Sequence, residues 1–204
     1  MRQHFWGAKF LVVLGWLFLL LVQSSSAQSN QTLGDVELVP ASDVEKTAGV
    51  WVDGHYLGYV NELKGEKKIT LLPGEHEIVV RQDGYHEFKQ ELDLRAGRKQ
   101  TTAVTMERDP RFQMPSVSSE IKLSATPDRA AVFVDGQYVG HVGEFGAVGK
   151  KLLVAPGHRK ITISLPGYQS FNTEVDLVPN QRFEIKTELI KEGAAPTSPQ
   201  PTRE

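Results

Sequence analysis

Residues Val50–Val60 read V-W-V-D-G-H-Y-L-G-Y-V, and Val132–Val142 read V-F-V-D-G-Q-Y-V-G-H-V, an offset of 82 positions. The correspondence resumes downstream at an offset of 83. There Leu72-Pro73-Gly74 returns as Ala155-Pro156-Gly157, Asp83-Gly84-Tyr85 as Pro166-Gly167-Tyr168, and Phe88, Leu92 and Leu94 as Phe171, Val175 and Leu177. Self-similarity at a nearly fixed period marks a duplicated structural unit. The first copy is expected over residues 35–108 and the second over 119–190.

Within each copy the apolar period is two. Val36 and Leu38 alternate with polar neighbours, as do Ile121 and Leu123; Ile78 and Val80 answer to Ile161 and Ile163. Leu92 and Leu94 lie between Glu91, Asp93 and Arg95, and closing strands follow at Thr101–Met106 and Arg182–Leu189. Short alternating strands punctuated by Gly, Pro and Asp predict an all-β fold of two tandem small β-sandwiches. No stretch beyond residue 27 carries a helical stripe. Asp53-Gly54 and Asp135-Gly136 are hairpin-turn dipeptides, since both central positions need positive φ. Pro73-Gly74 and Pro156-Gly157 suit type II turns. Gly84-Tyr85 and Gly167-Tyr168 are expected to place an aromatic plug at a sandwich end.

The flanks differ from this pattern. Arg2 and Lys9 precede the 13-residue apolar run Phe10–Val22, with Ser25 and Ala27 at the −3 and −1 positions of a cleavage site. That is the layout of a secretory signal peptide over residues 1–27. The rival is an uncleaved anchor, but the run falls short of the roughly 20 residues that span a bilayer. Removal of Arg2 and Lys9 leaves 21 basic against 25 acidic residues, a formal charge of −4, and no later segment has the length and apolarity of a membrane span. Nucleic-acid binding needs a clustered basic footprint, which this chain lacks. With no cysteine, the chain has neither disulfides nor a thiol nucleophile. Residues 109–118 hold Pro110 and Pro115 and read as a linker, and the Pro-rich tail 191–204 as disordered.

With the turns and strands in place, Pro127-Asp128-Arg129-Ala130-Ala131-Val132-Phe133-Val134-Asp135-Gly136 resembles the opening of a PEGA domain, whose signature runs P-E-G-A-x-V-Y-V-D-G. The second copy keeps Pro127 and Ala130. The first has Glu45-Lys46-Thr47-Ala48 there and resumes the pattern at Val50-Trp51-Val52-Asp53-Gly54. The resemblance covers nearly all of residues 35–190. It implies a small β-sandwich module of bacterial or archaeal envelope or surface proteins, with no established catalytic residues to carry over.

Candidate sites are few. Asp53 and Asp135 could ligate calcium, yet that ion needs six to eight oxygens and the flanking residues offer none at suitable spacing, so turn chemistry accounts for them. His55, His76, His86, His141 and His158 follow no ligand spacing and vary between copies, which favours surface histidines; no metal or cofactor is expected. Glu62 and Glu144 align between copies and read as solvated loop charges rather than a glycosidase pair. The Lys67-Lys68 and Lys150-Lys151 pairs read as soluble strand edges, or as a contact for an anionic polymer.

Trp51 alternates against Val50 and Val52, so it points away from its own core. An inter-repeat interface or a second core layer would bury it. An open face would instead make Trp51, Tyr56 and Tyr59 candidate partner-binding residues. The chain is therefore expected to be an exported, non-enzymatic structural or adhesive module of the cell envelope, in the periplasm or at the cell surface, with an envelope protein or polysaccharide as partner. The alternative is a carbohydrate-binding module that stacks sugar rings on exposed, coplanar aromatics.

Overall fold

A computed structural model describes residues 32–146 and 150–193. The proposed signal peptide, and the tail from residue 194 onward, lie outside the described residues.

Two β-sandwiches are built to one plan. In the first repeat, β1 (Gly34–Pro40), β4 (Ile69–Leu71) and β7 (Lys99–Val104) form a three-stranded sheet in the order β4-β1-β7. Against it lies a four-stranded sheet, β3-β2-β5-β6, made from β2 (Gly49–Val52), β3 (His55–Tyr59), β5 (Gly74–Arg81) and β6 (Phe88–Leu94). The second repeat reproduces both sheets. Its three-stranded sheet is β11-β8-β14, from β8 (Ser119–Thr126), β11 (Leu152–Val154) and β14 (Arg182–Glu188). Its four-stranded sheet is β10-β9-β12-β13, from β9 (Ala131–Val134), β10 (Gln137–His141), β12 (Gly157–Ser164) and β13 (Phe171–Leu177).

The alternating residues do what their period demands. Val36, Leu38, Val50, Val52, Ile78, Val80, Leu92 and Leu94 close the first core, and Ile121, Leu123, Val132, Ile161, Ile163, Val175 and Leu177 the second. In each repeat the first and last strands pair in parallel, with Leu38 opposite Thr102 and Leu123 opposite Ile185. Periodicity identifies these strands but not that pairing, which depends on the whole chain having returned to its starting edge.

The Asp-Gly turns form as expected, with φ of 49° at Asp53 and 51° at Asp135 followed by glycines at 80° and 83°. Each aspartate also anchors its hairpin to the neighbouring strand. Asp53 accepts from the Glu77 amide at 2.9 Å and Asp135 from the Lys160 amide at 2.9 Å. Their other oxygens meet His76 at 2.7 Å and Arg159 at 3.0 Å. Tyr85 and Tyr168 are partly buried, packing on their repeats' cores and bridging to Arg108 and Lys191. The Pro-Gly steps differ from expectation: Pro73 and Pro156 occupy open bends, and Gly74 and Gly157 already belong to β5 and β12.

Among the described residues one short α-helix, α1 (Asp43–Thr47), departs from the all-strand reading. Its five residues are too few to show an apolar stripe. The legible signal was Ser42-x-x-Glu45, a capping box in which each residue satisfies the other's backbone amide.

His76 gives this hairpin a pH dependence. Its Nδ1 faces the Asp53 carboxylate and its Nε2 the Leu72 carbonyl, 2.8 Å away, so the doubly protonated ring donates to both. The Asp53 hydrogen bond, with that of Leu72, raises the His76 pKa above its usual 6.5. A raised folded-state pKa gives stability that is complete below the unfolded value and is lost as pH rises through the folded one. Urea titrations should show stability falling on the alkaline side of about pH 6.5, with a shallower slope in His76→Phe, since His158, raised likewise by its hydrogen bond to Asp176, remains.

Candidate interaction surface

The aromatics nominated by sequence stand on β2 and β3, directly opposite each other in register, with Trp51 paired to Tyr56. They project from the outer face of the four-stranded sheet while Val50 and Val52 fill its inner face. That outer face is closed. Trp51 is 6% and Tyr56 7% exposed, and both belong to one buried cluster with Ala131 and Tyr138 of the second repeat. An open platform of Trp51 and Tyr56 is therefore not what the fold presents. The second repeat removes their apolar area from water, which is the stronger tendency for rings of this size.

The contacts are specific. Trp51 meets Tyr138 edge-on, ring centroids 5.0 Å apart, and the Arg81 guanidinium lies 4.7 Å above the Trp51 ring. Tyr56 donates its hydroxyl to the Arg129 carbonyl at 3.0 Å. Burial pushes the Tyr56 and Tyr138 hydroxyls well above the usual tyrosine range. Tyr59 is half-buried and stacks on His141, centroids 4.0 Å apart and planes 7° from parallel. Gly49 lets Tyr138 come this close, since a Cβ there would stand 2.7 Å from the ring. Gly49→Ala should therefore overpack the interface and cost about 1–3 kcal/mol, read as a lowered urea midpoint.

Polar groups seal the rim. A bulge in β3 leaves Leu57 without a ladder partner, and its carbonyl accepts a hydrogen bond from the Arg129 guanidinium. Arg129 also lies 3.1 Å from Glu62, whose side chain is only 7% exposed and whose other close partner is Lys67 at 2.7 Å. Glu62 is thus an interface ion-pair residue rather than a solvated loop charge. His141, 6% exposed, is likewise not a surface histidine. Both expectations failed for one reason: the sequence shows each residue's own loop, not the other repeat that covers it. Glu144, aligned with Glu62, instead caps the short 3₁₀ turn Val142–Phe145 by accepting from the His141 amide at 3.2 Å. Lys68 and Lys151 pair with Asp35 and Glu120 at 2.7 and 3.0 Å, as soluble edges do.

A second surface was not singled out by sequence. A cleft of about 460 Å³ lies where the linker passes the second repeat, lined by Arg108, Phe112, Met114, Val139, Lys150 and Leu153. Met114 and Leu153 are 56% and 39% exposed there. The cleft combines a linker wall with the edge strands β10 and β11, so no periodic pattern announces it.

A family model for the PEGA domain matches residues 42–110 and 118–192. The chain belongs to the PEGA-domain family. The first match begins just after β1 and takes in the rest of the first sandwich, and the second takes in all of the second, so this is a tandem PEGA protein. No curated protein matches it at a significant level. Among solved structures it is similar to "The Bacillus anthracis TIE protein", with 14% identity and a TM-score of 0.27. That similarity covers 78% of this chain and 34% of the other, so the chain spans about a third of that protein's length. At this TM-score the likeness says nothing about what either protein does. Among the described residues no helix is long and apolar enough to cross a membrane.

Proposed function

We propose that this tandem PEGA protein is an exported, non-enzymatic structural or adhesive module of the cell envelope, contacting an envelope protein through surfaces other than its inter-repeat face. The carrying observation is the use made of the aromatics. Trp51, Tyr56 and Tyr138 are spent on holding two sandwiches together, while Met114 and Leu153 remain exposed beside the edge strands β10 and β11. Unpaired edges and exposed apolar side chains are what a protein partner can dock against. The carbohydrate-binding alternative draws less support, because Trp51 and Tyr56 are buried and tilted by 55° instead of coplanar and open.

The test is capture of envelope material by the purified chain, with the envelope fraction pre-treated by protease or by glycan-degrading enzymes. A discrete protein that is lost after protease, kept after glycan removal, and lost with Leu153→Arg supports the proposal. Retention of a polysaccharide by both the wild type and Leu153→Arg would sink it in favour of sugar binding.

A further inference from the structure

Equivalent residues of the two repeats touch one another. Tyr56 and Tyr138, 82 positions apart in the duplication, have ring centroids 6.4 Å apart. Tyr59 and His141, separated by the same offset, form the 4.0 Å stack. Contact between equivalent positions is the mark of a two-fold axis, where a residue meets its own mate.

Away from that axis the contacts are reciprocal. In one groove the Asp-Gly turn of the first repeat, at Gly54, faces Pro166 and Tyr168 of the second. In another groove the Asp-Gly turn of the second repeat, at Gly136, faces Gln82 and Tyr85 of the first. Position i meeting j on one side, and j meeting i on the other, defines an isologous interface. The symmetry is broken in detail. Trp51 corresponds to Phe133, and Arg129 corresponds to Thr47, so only one of the two possible arginine–glutamate pairs exists, Arg129 with Glu62.

We infer that the outer face of each PEGA repeat is a self-complementary pairing surface, and that its partner outside the chain is the same face on a second copy of this chain. An intramolecular partner on a short linker has an effective concentration of order millimolar, so the wild type pairs within one chain at micromolar concentration. Pairing between copies takes over where the intramolecular partner is lost or where copies are crowded to comparable density. This inference is independent of the envelope reading and of the Leu153 surface.

Two full-length variants test it. Tyr56→Arg disables the face of the first repeat and Tyr138→Arg that of the second. Mixed at about 100 μM, they should form a species of twice the chain mass by light scattering, because the intact second repeat of one pairs with the intact first repeat of the other. Tyr138→Phe should stay monomeric like the wild type, since the Tyr138 hydroxyl has no hydrogen-bond partner to lose. Folded variants that remain monomeric in the mixture would overturn the inference. Should either variant fail to fold, a protease site placed after Met114 of the otherwise wild-type chain decides the matter. Halves that co-elute after cleavage and exchange with labelled copies support pairing in trans, and halves that separate while remaining folded refute it.

Discussion

Trp51→Ala is expected to lower stability by about 3–5 kcal/mol, the range for truncating a fully packed large aromatic. The indole is 6% exposed, lies against Tyr138 edge-on, and carries Arg81 on its face. Its loss leaves a cavity between the repeats instead of inside either core, because Val50 and Val52 face the other way. The variant should therefore change the form of unfolding as well as its midpoint. Wild type should unfold as one cooperative unit, whereas Trp51→Ala should resolve two transitions in calorimetry, one for each sandwich. A surface role for Trp51 predicts instead a change within about 0.5 kcal/mol and a single transition.

The second large effect is expected at Glu45, which is 3% exposed. Its carboxylate accepts from the Ser42 amide at 2.8 Å, from the Ser42 hydroxyl at 2.5 Å, and from the Met106 amide at 3.0 Å. It thus closes the capping box of α1 and ties that turn to the exit of β7. Glu45→Ala removes the cap and leaves the Met106 amide buried without an acceptor, which should cost about 2–4 kcal/mol. Burial acts to raise this carboxyl's pKa, but the hydrogen bonds from Ser42 and Met106 outweigh it and hold the net value below the usual 4.5. A depressed folded-state pKa contributes stability that is present above the unfolded value and lost as pH falls through the folded one. In urea titrations the gap between wild type and Glu45→Ala should be full at neutral pH and should narrow below about pH 4.5.

The strands of each sandwich were legible because each carries its own evidence. Val36, Leu38, Ile78, Val80, Leu92 and Leu94 alternate, and their counterparts repeat the pattern. The Asp-Gly turns were legible for a similar reason, since the positive φ at Asp53 and Asp135 is a local demand. Trp51 was legible only halfway. Alternation fixed which face it takes, but what covers that face lies 87 residues downstream in Tyr138. The same gap explains Glu62 and His141, read as solvated and found buried. The two-fold relation was latent in the duplication, since an offset of 82 links Tyr56 to Tyr138 and Tyr59 to His141. It became visible only when those pairs stood in contact.

The central claim is that Trp51 is enclosed between the two PEGA repeats. Replacing Trp6 and Trp16 by Phe leaves Trp51 as the sole indole among the chain's three tryptophans. Its fluorescence emission and acrylamide quenching then report directly on the interface. Blue-shifted emission with slow quenching, moving to the red with faster quenching on Tyr138→Ala, is the expected result. Emission typical of a water-exposed indole in the otherwise intact chain, unchanged by Tyr138→Ala, would contradict the account.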